Sequence, residues 1–224
     1  MAGWTIALLL IVVVGVVLFL QRDSVGKVNR LVASAFTESR NTDLRLIGAD
    51  YSEPHTEQGN AIVNSQPLTE ARAAIARLRP NMAQHAEFLD AEGRADLASN
   101  QVQGAYEKLK RARTQSPSSA DILNDLAVAE CMLADGGQPD RYQVAYELLS
   151  QVLESDNKNV VALFNRAIVS ERIREYAAAV EDWKRLLDLE PKGGWADEAR
   201  RRKSVDEDLS KQQHSRLGNF HVIA

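Results

Sequence analysis

The sequence predicts an all-α chain: an amino-terminal transmembrane helix, then a solenoid of stacked helix-turn-helix units closed by a carboxy-terminal capping helix. Three observations predict it. The run from Trp4 to Leu20, WTIALLLIVVVGVVLFL, carries no charged side chain. Residues 160–191, VVALFNRAIVSERIREYAAAVEDWKRLLDLEP, read as a helical hairpin. Two upstream stretches repeat that hairpin's spacing.

In the hairpin, Leu163, Ala167 and Ile168 recur at helical spacing on the first helix. Ala179, Val180, Trp183, Leu186 and Leu187 do so on the second, before Pro191 ends the run. Ala167 and Ala179 lack bulk, so the backbones can approach while Tyr176, Trp183 and Leu163 fill the surrounding space. Upstream, Leu123, Leu126, Ala127, Tyr142, Ala145, Leu149 and Val152 take matching places within 120–159. That unit is lengthened by GGQPDR, where an insertion only extends a surface turn. Leu89, Gly93, Ala105, Leu109, Ala112 and Pro117 repeat the spacing within 86–119. Small residues at the crossing, an aromatic four positions after the second alanine and a terminal proline resemble the tetratricopeptide repeat (TPR). Three such units, 86–119, 120–159 and 160–193, are about the minimum for a self-supporting stack.

Both ends of the stack need covers. Residues 194–213 predict the rear one, with Trp195, Ala196 and Ala199 on a covering face and Asp197, Glu198, Arg201 and Arg202 on the solvated remainder. The RRRK run within it is flanked by acids and reads as ion pairing along a helix, not as a nucleic-acid patch. The tail, 214–224, shows no period and is expected to fray. At the front, PLTEARAAIARLR places Leu68, Ala71, Ile75 and Leu78 on one face and is stopped by Pro80, which predicts a lead-in helix within 67–85.

Residues 1–20 predict a membrane anchor, because about 20 helical residues cross a ~30 Å hydrocarbon layer. A cleaved signal peptide is the rival; the run lacks a basic start and a small-x-small cleavage site, which favours an uncleaved anchor. Trp4 then lies in one interfacial belt, and Gln21 with Arg22 marks the other boundary. Arg22, Lys27 and Arg30 follow the span, so the positive-inside bias places the repeats in the cytoplasm, with an extracytoplasmic placement as the alternative.

Residues 21–66 read as a juxtamembrane helix and an extended linker. Val28, Leu31, Val32 and Phe36 form a stripe on a helix from Val25 to Arg40, a stalk packed on the repeats. RLIGADYSEPHTEQGNAIVNSQP has no helical period, and Leu44, Leu46 and Ile47 are its candidates for contact with the stack. Composition fits this organisation: 224 residues, 45% hydrophobic and 26% charged, suffice for a core. A net charge of -4 gives no drive toward nucleic acid. The single Cys131 excludes an intramolecular disulfide.

A narrower resemblance follows. LNDLAVAE in the second unit, ALFNRAIVSERI and W-x-x-L-L-x-L-x-P in the third, GWADEARRR in the cap and ESRNTDLRLIGADY before the repeats are similar to the repeat region of bacterial proteins that carry a caspase-like CHAT peptidase domain. The resemblance spans roughly residues 38–202. It implies a repeat platform of a bacterial inner-membrane system, here without the peptidase domain, and a caspase-like peptidase or another component of that system as partner.

No catalytic constellation stands out. Cys131 lies in AECML on a repeat helix, not in a strand-following turn with a histidine in reach, so it reads as a packed or groove-facing thiol; thiol chemistry at Cys131 and a split peptidase system remain the alternatives to a non-catalytic scaffold. His55, His85, His214 and His221 have no metal-ligand spacing, and no cofactor is expected. The first helix of each unit lines the inner wall of such a stack. The resemblance, carried position by position, makes Asp90, Arg94 and Leu97, then Asn124, Val128 and Cys131, then Phe164, Ile168 and Arg172 the candidate partner-binding groove. Its mixed character, with apolar Val128, Phe164 and Ile168 near Arg94 and Arg172, predicts an extended or helical peptide with an apolar anchor, with or without an acidic group. The Lys and Asn set with which chaperone-binding repeats hold a terminal carboxylate is missing at the corresponding positions; Asn124 alone does not supply it.

Overall fold

Small residues fix how closely paired helices cross, and the computed structural model shows the result in three successive hairpins. It describes residues 24–38, 40–53 and 65–220; the expected anchor, 1–20, lies outside them. Among the described residues no helix is long and apolar enough to cross a membrane. The helices are α1 (24–38), α2 (Gln66–Met82), α3 (Ala86–Ala98), α4 (Val102–Gln115), α5 (Ala120–Asp135), α6 (Arg141–Ser155), α7 (Val160–Arg172), α8 (Tyr176–Leu189) and α9 (Gly194–Phe220). No strand occurs among the described residues.

Each hairpin pairs an odd-numbered helix with the next: α3 with α4, α5 with α6, α7 with α8. On the second helices, Ala105, Leu109 and Ala112, then Ala145, Leu149 and Val152, then Ala179, Trp183 and Leu186 are all fully buried at spacings of four and three. Gly93 shows why bulk is excluded at the crossing. A Cβ there would lie 2.6 Å from Leu109 Cγ, inside van der Waals contact.

The turns inside the hairpins share one chemistry. Asn100, Gly137 and Arg174 adopt left-handed backbone at φ 58°, 106° and 64°. In each case the following N–H donates five residues back, Gln101 to Asp96 O (2.8 Å), Gln138 to Leu133 O (3.3 Å) and Glu175 to Ser170 O (2.8 Å). The helix carbonyls thus find partners, and the chain reverses. Asn159 opens α7 by accepting from the Ala162 N–H at 3.0 Å, and Ser65 Oγ accepts from Leu68 N–H to open α2.

Two expectations change. α2 carries through Pro80 to Met82, because a proline in the last turn removes a bond only from the carbonyl of exposed Ala76. α9 does not stop at 213 but continues to Phe220, with no proline to break it. Residues 40–53, within the stretch read as an extended linker, have neither helix nor strand, and Leu44 and Leu46 are buried in the same core as Val28, Val32 and Phe36 of α1. Gly48, at φ 76°, turns this segment back along α1, where Thr37 Oγ1 donates to both Ala33 O and Asp50 O.

Candidate functional site: the inner wall of the stack

The first helices α3, α5 and α7 approach one another directly, whereas α4, α6 and α8 reach the next unit through its first helix. The first helices therefore line the inside of the curve. Of the nine groove candidates, Asp90, Arg94, Leu97, Asn124, Val128, Cys131, Phe164 and Ile168 are buried. Arg172 alone keeps substantial exposure, 36% of its side chain. Residues 40–53 of the same chain lie along this wall.

Arg40 organises this segment. Its residue is 0% exposed, and a charge so far from water needs every donor matched. Nε donates to Thr42 O (3.1 Å), Nη1 to Ser52 O (2.9 Å) and Glu198 Oε2 (2.7 Å), and Nη2 to Asp43 O and Glu198 Oε1 (3.2 Å). The guanidinium also lies 4.5 Å from the Trp195 ring centroid. Around it Tyr51, Trp195, Phe164 and Trp183 form successive edge-to-face pairs at 5.2, 5.0 and 5.1 Å. A Cβ on Gly194 would fall 2.0 Å from the Tyr51 ring, so the start of α9 must be glycine for Tyr51 to seat.

Further along, α7 grips main chain. Asn165 accepts from Arg45 N–H at 2.7 Å and donates to Arg45 O at 2.9 Å, a two-bond clamp on the backbone of one residue. Its amide also donates to Asn124 Oδ1 at 3.2 Å, which orients it. Asn41 Nδ2 donates to Leu97 O at the end of α3 (2.9 Å). Asp43 sits between Arg172 (2.8 Å) and Arg202 (3.3 Å), and Arg45 pairs with Glu190 at 2.8 Å. Burial pushes the Asp43 carboxyl up, but Arg202 and Arg172 outweigh it and hold the group below the usual carboxylate range.

Deeper in the wall, Arg94 joins two carboxylates, donating to Asp125 Oδ2 (2.7 Å) and Asp90 Oδ2 (2.8 Å). One guanidinium does not neutralise both. Burial, against the pull of Arg94 and with the repulsion of Asp125, lifts Asp90 to about 7, and burial also raises Asp125. Glu171 is lifted to about 7 by burial and by Asp206, with Arg202 opposing. Cys131 is 1% exposed, and burial, reinforced by Asp135, pushes its thiol up to about 12. A thiol so reluctant to ionise is a poor nucleophile.

Sequence reasoning missed Asn165, Glu198 and the three side chains Arg40, Asp43 and Arg45 that they and their neighbours hold. Asn165 adjoins Phe164 in the inward row and was within reach of the same argument. Glu198 was assigned to the solvated face of the cap, and the structure corrects this: it is 4% exposed.

No protein-family model matches the chain, and no curated relative matches it. Solved structures do. MamA from AMB-1 is 18% identical and aligns over 70% of this chain and 86% of its own, with a TM-score of 0.52. A MamA mutant gives the same identity and TM-score over 69% and 84%. The Arabidopsis OM64 TPR domain, 24% identical, covers 56% of this chain and 94% of its own at a TM-score of 0.47. The fold is that of a TPR solenoid.

Two outcomes follow. Glu198→Ala leaves the Arg40 charge buried without its partner and lowers unfolding free energy by about 3–5 kcal/mol, read by urea denaturation. Asp90 and Glu171 hold protons in the folded chain at pH values where unfolded carboxylates, with pKa near 4, have lost them. Their contribution to stability is therefore full below about pH 4 and is lost as pH rises through about 7. Asp90→Asn should flatten the fall in urea midpoint between pH 5 and pH 8 and raise the midpoint at pH 8; an unchanged slope contradicts the raised carboxyl.

Proposed function

We propose that this chain is a protein-interaction scaffold of the TPR type, working by binding and not by catalysis. The observation that carries the reading is the Asn165 clamp with its flanking charged sites: the wall holds an irregular stretch of polypeptide through main-chain bonds and ion pairs, as a peptide-binding groove does. The TPR fold supports it, since such stacks present a long concave surface for chain-like ligands.

In the finer reading, residues 4–20 anchor the scaffold in a bacterial inner membrane with the repeats toward the cytoplasm, and the partner is a caspase-like peptidase or another component of the same membrane system. The fifteen described residues of α1, at about 1.5 Å each, extend only about 22 Å, which supports a short tether between anchor and wall.

Capture of crosslinked partners from detergent extract tests the scaffold. Arg172→Glu should cut recovery of a specific partner at least tenfold while leaving helicity intact, and equal recovery moves the partner off the inner wall. A caspase-like peptidase among the partners supports the resemblance, and protease added to sealed vesicles reads which side the repeats face. The thiol-enzyme alternative has its own measurement. At pH 7.5 Cys131 should alkylate about a thousandfold more slowly than an ordinary thiol, and fast alkylation of the folded chain would restore that reading.

A further inference from the structure

We propose that residues 40–46 are a tethered, exchangeable ligand of the inner wall, and that the wall's partner is another protein's extended segment carrying the same side-chain code. That code is Arg, then Asp three residues later, then Leu, any residue, and Leu. The proposal rests on the scaffold reading above and names the partner chemistry of that same surface.

The segment is held the way a separate peptide would be held. It contributes no helix or strand, and the backbone N–H and C=O of Arg45 are bonded to a side chain, Asn165, instead of to neighbouring backbone. A clamp on main chain accepts any residue at that position. Specificity comes from the flanking sites. Glu198 with the face of Trp195 takes a guanidinium in bidentate geometry, which a lysine cannot reproduce. Arg172 and Arg202 take a carboxylate three residues on. Leu44 and Leu46 are 1% and 0% exposed and fill apolar space on the wall.

The fit is incomplete, which makes the occupant replaceable. Asn41 Oδ1 and Ser52 Oγ on the segment are buried without hydrogen-bond partners. So is Asn124 Nδ2 on the wall. Each such group lowers the affinity of the present arrangement, and a ligand that supplies the missing partners gains what residues 40–53 lose. The segment's advantage is its covalent connection, equivalent to an effective concentration of order mM. A partner concentrated in the same membrane system competes on those terms; a dilute one does not.

The test uses the full-length chain with a protease recognition sequence replacing residues 55–62. Cutting leaves the amino-terminal piece held without a covalent link. A labelled synthetic peptide of residues 38–53 should then bind with micromolar affinity, and at least a hundredfold more weakly to the uncut chain. Peptides carrying Arg40→Ala or Asp43→Ala should bind the cut protein at least tenfold more weakly. No binding to cut protein that keeps its helicity, or equal binding of the altered peptides, overturns the proposal. Native-state hydrogen exchange on the unaltered chain decides independently should cutting unfold it. The Arg45 amide should exchange at least tenfold faster than the amides of α5 and α7, through local opening. Exchange of Arg45 only with global unfolding makes the segment a permanent part of the core. That result ends the exchange proposal and leaves the scaffold reading to the Arg172→Glu capture.

Discussion

A guanidinium wholly removed from water imposes the strictest constraint in this molecule. Arg40 has five N–H groups and five acceptors for them. Three are carbonyls of its own segment, at Thr42, Asp43 and Ser52, and two are the oxygens of Glu198, 158 residues away. The path of the segment and its docking on α9 are thus settled together. If either changes, a buried charge loses partners. Such a pair adds little net stability over an apolar one of the same shape, since desolvating both ions offsets their attraction. What it supplies is selection: only a chain with a planar cation at that point closes the arrangement.

The repeats were legible because their information is local. Alanine and glycine at the crossing, leucines at spacings of four and three, and a left-handed turn residue between helices all act within one unit. Gly93, Ala127 and Ala167 need no knowledge of the rest of the chain to be read. The wall's occupant was not legible for the opposite reason. Arg40, Asp43 and Arg45 each find partners more than a hundred residues later, and polar pairing has no periodicity to betray it. Leu44 and Leu46 did signal burial, yet two leucines in an aperiodic stretch do not say against what. The groove candidates lie on the first helices, but whether a wall is open depends on a segment whose register only the three-dimensional fold supplies.

Charge on the helices illustrates the same limit. Spacing assigns Glu198 to a solvated face, yet Asp182, Glu198 and Asp206 are all buried, 2%, 4% and 2% exposed. Each sits where two helices meet and is needed by a specific donor. Arg166 forms a bidentate pair with Asp182 at 2.7 Å for both bonds, tying α7 to α8, and Trp183 Nε1 donates to Asp206 at 2.9 Å, tying α8 to α9. Without Asp206 the indole N–H in the middle of the core would have no acceptor. The aromatic that the sequence marks as a packing residue therefore dictates an acid on the next helix, a dependence visible only from the tryptophan's polar edge.

Stability and recognition are coupled in this arrangement. Three hairpins are a short stack, and the inner wall of a short stack leaves apolar side chains such as Val128, Phe164 and Ile168 in want of cover. Val28, Val32 and Phe36 of α1, with Leu44 and Leu46, share one core with them, so the amino-terminal segments complete what the repeats begin. Any ligand that takes the place of residues 40–46 must then restore that burial as well as the ion pairs. A purely charged peptide would satisfy Glu198 and Arg172 and leave the two leucine sites empty, at a cost for each comparable to truncating a core leucine. If residues 40–46 exchange as proposed, the wall discriminates twice, by the guanidinium and carboxylate positions and by the apolar pair beyond them. On that proposal the second requirement keeps the abundant charged segments of other proteins from competing.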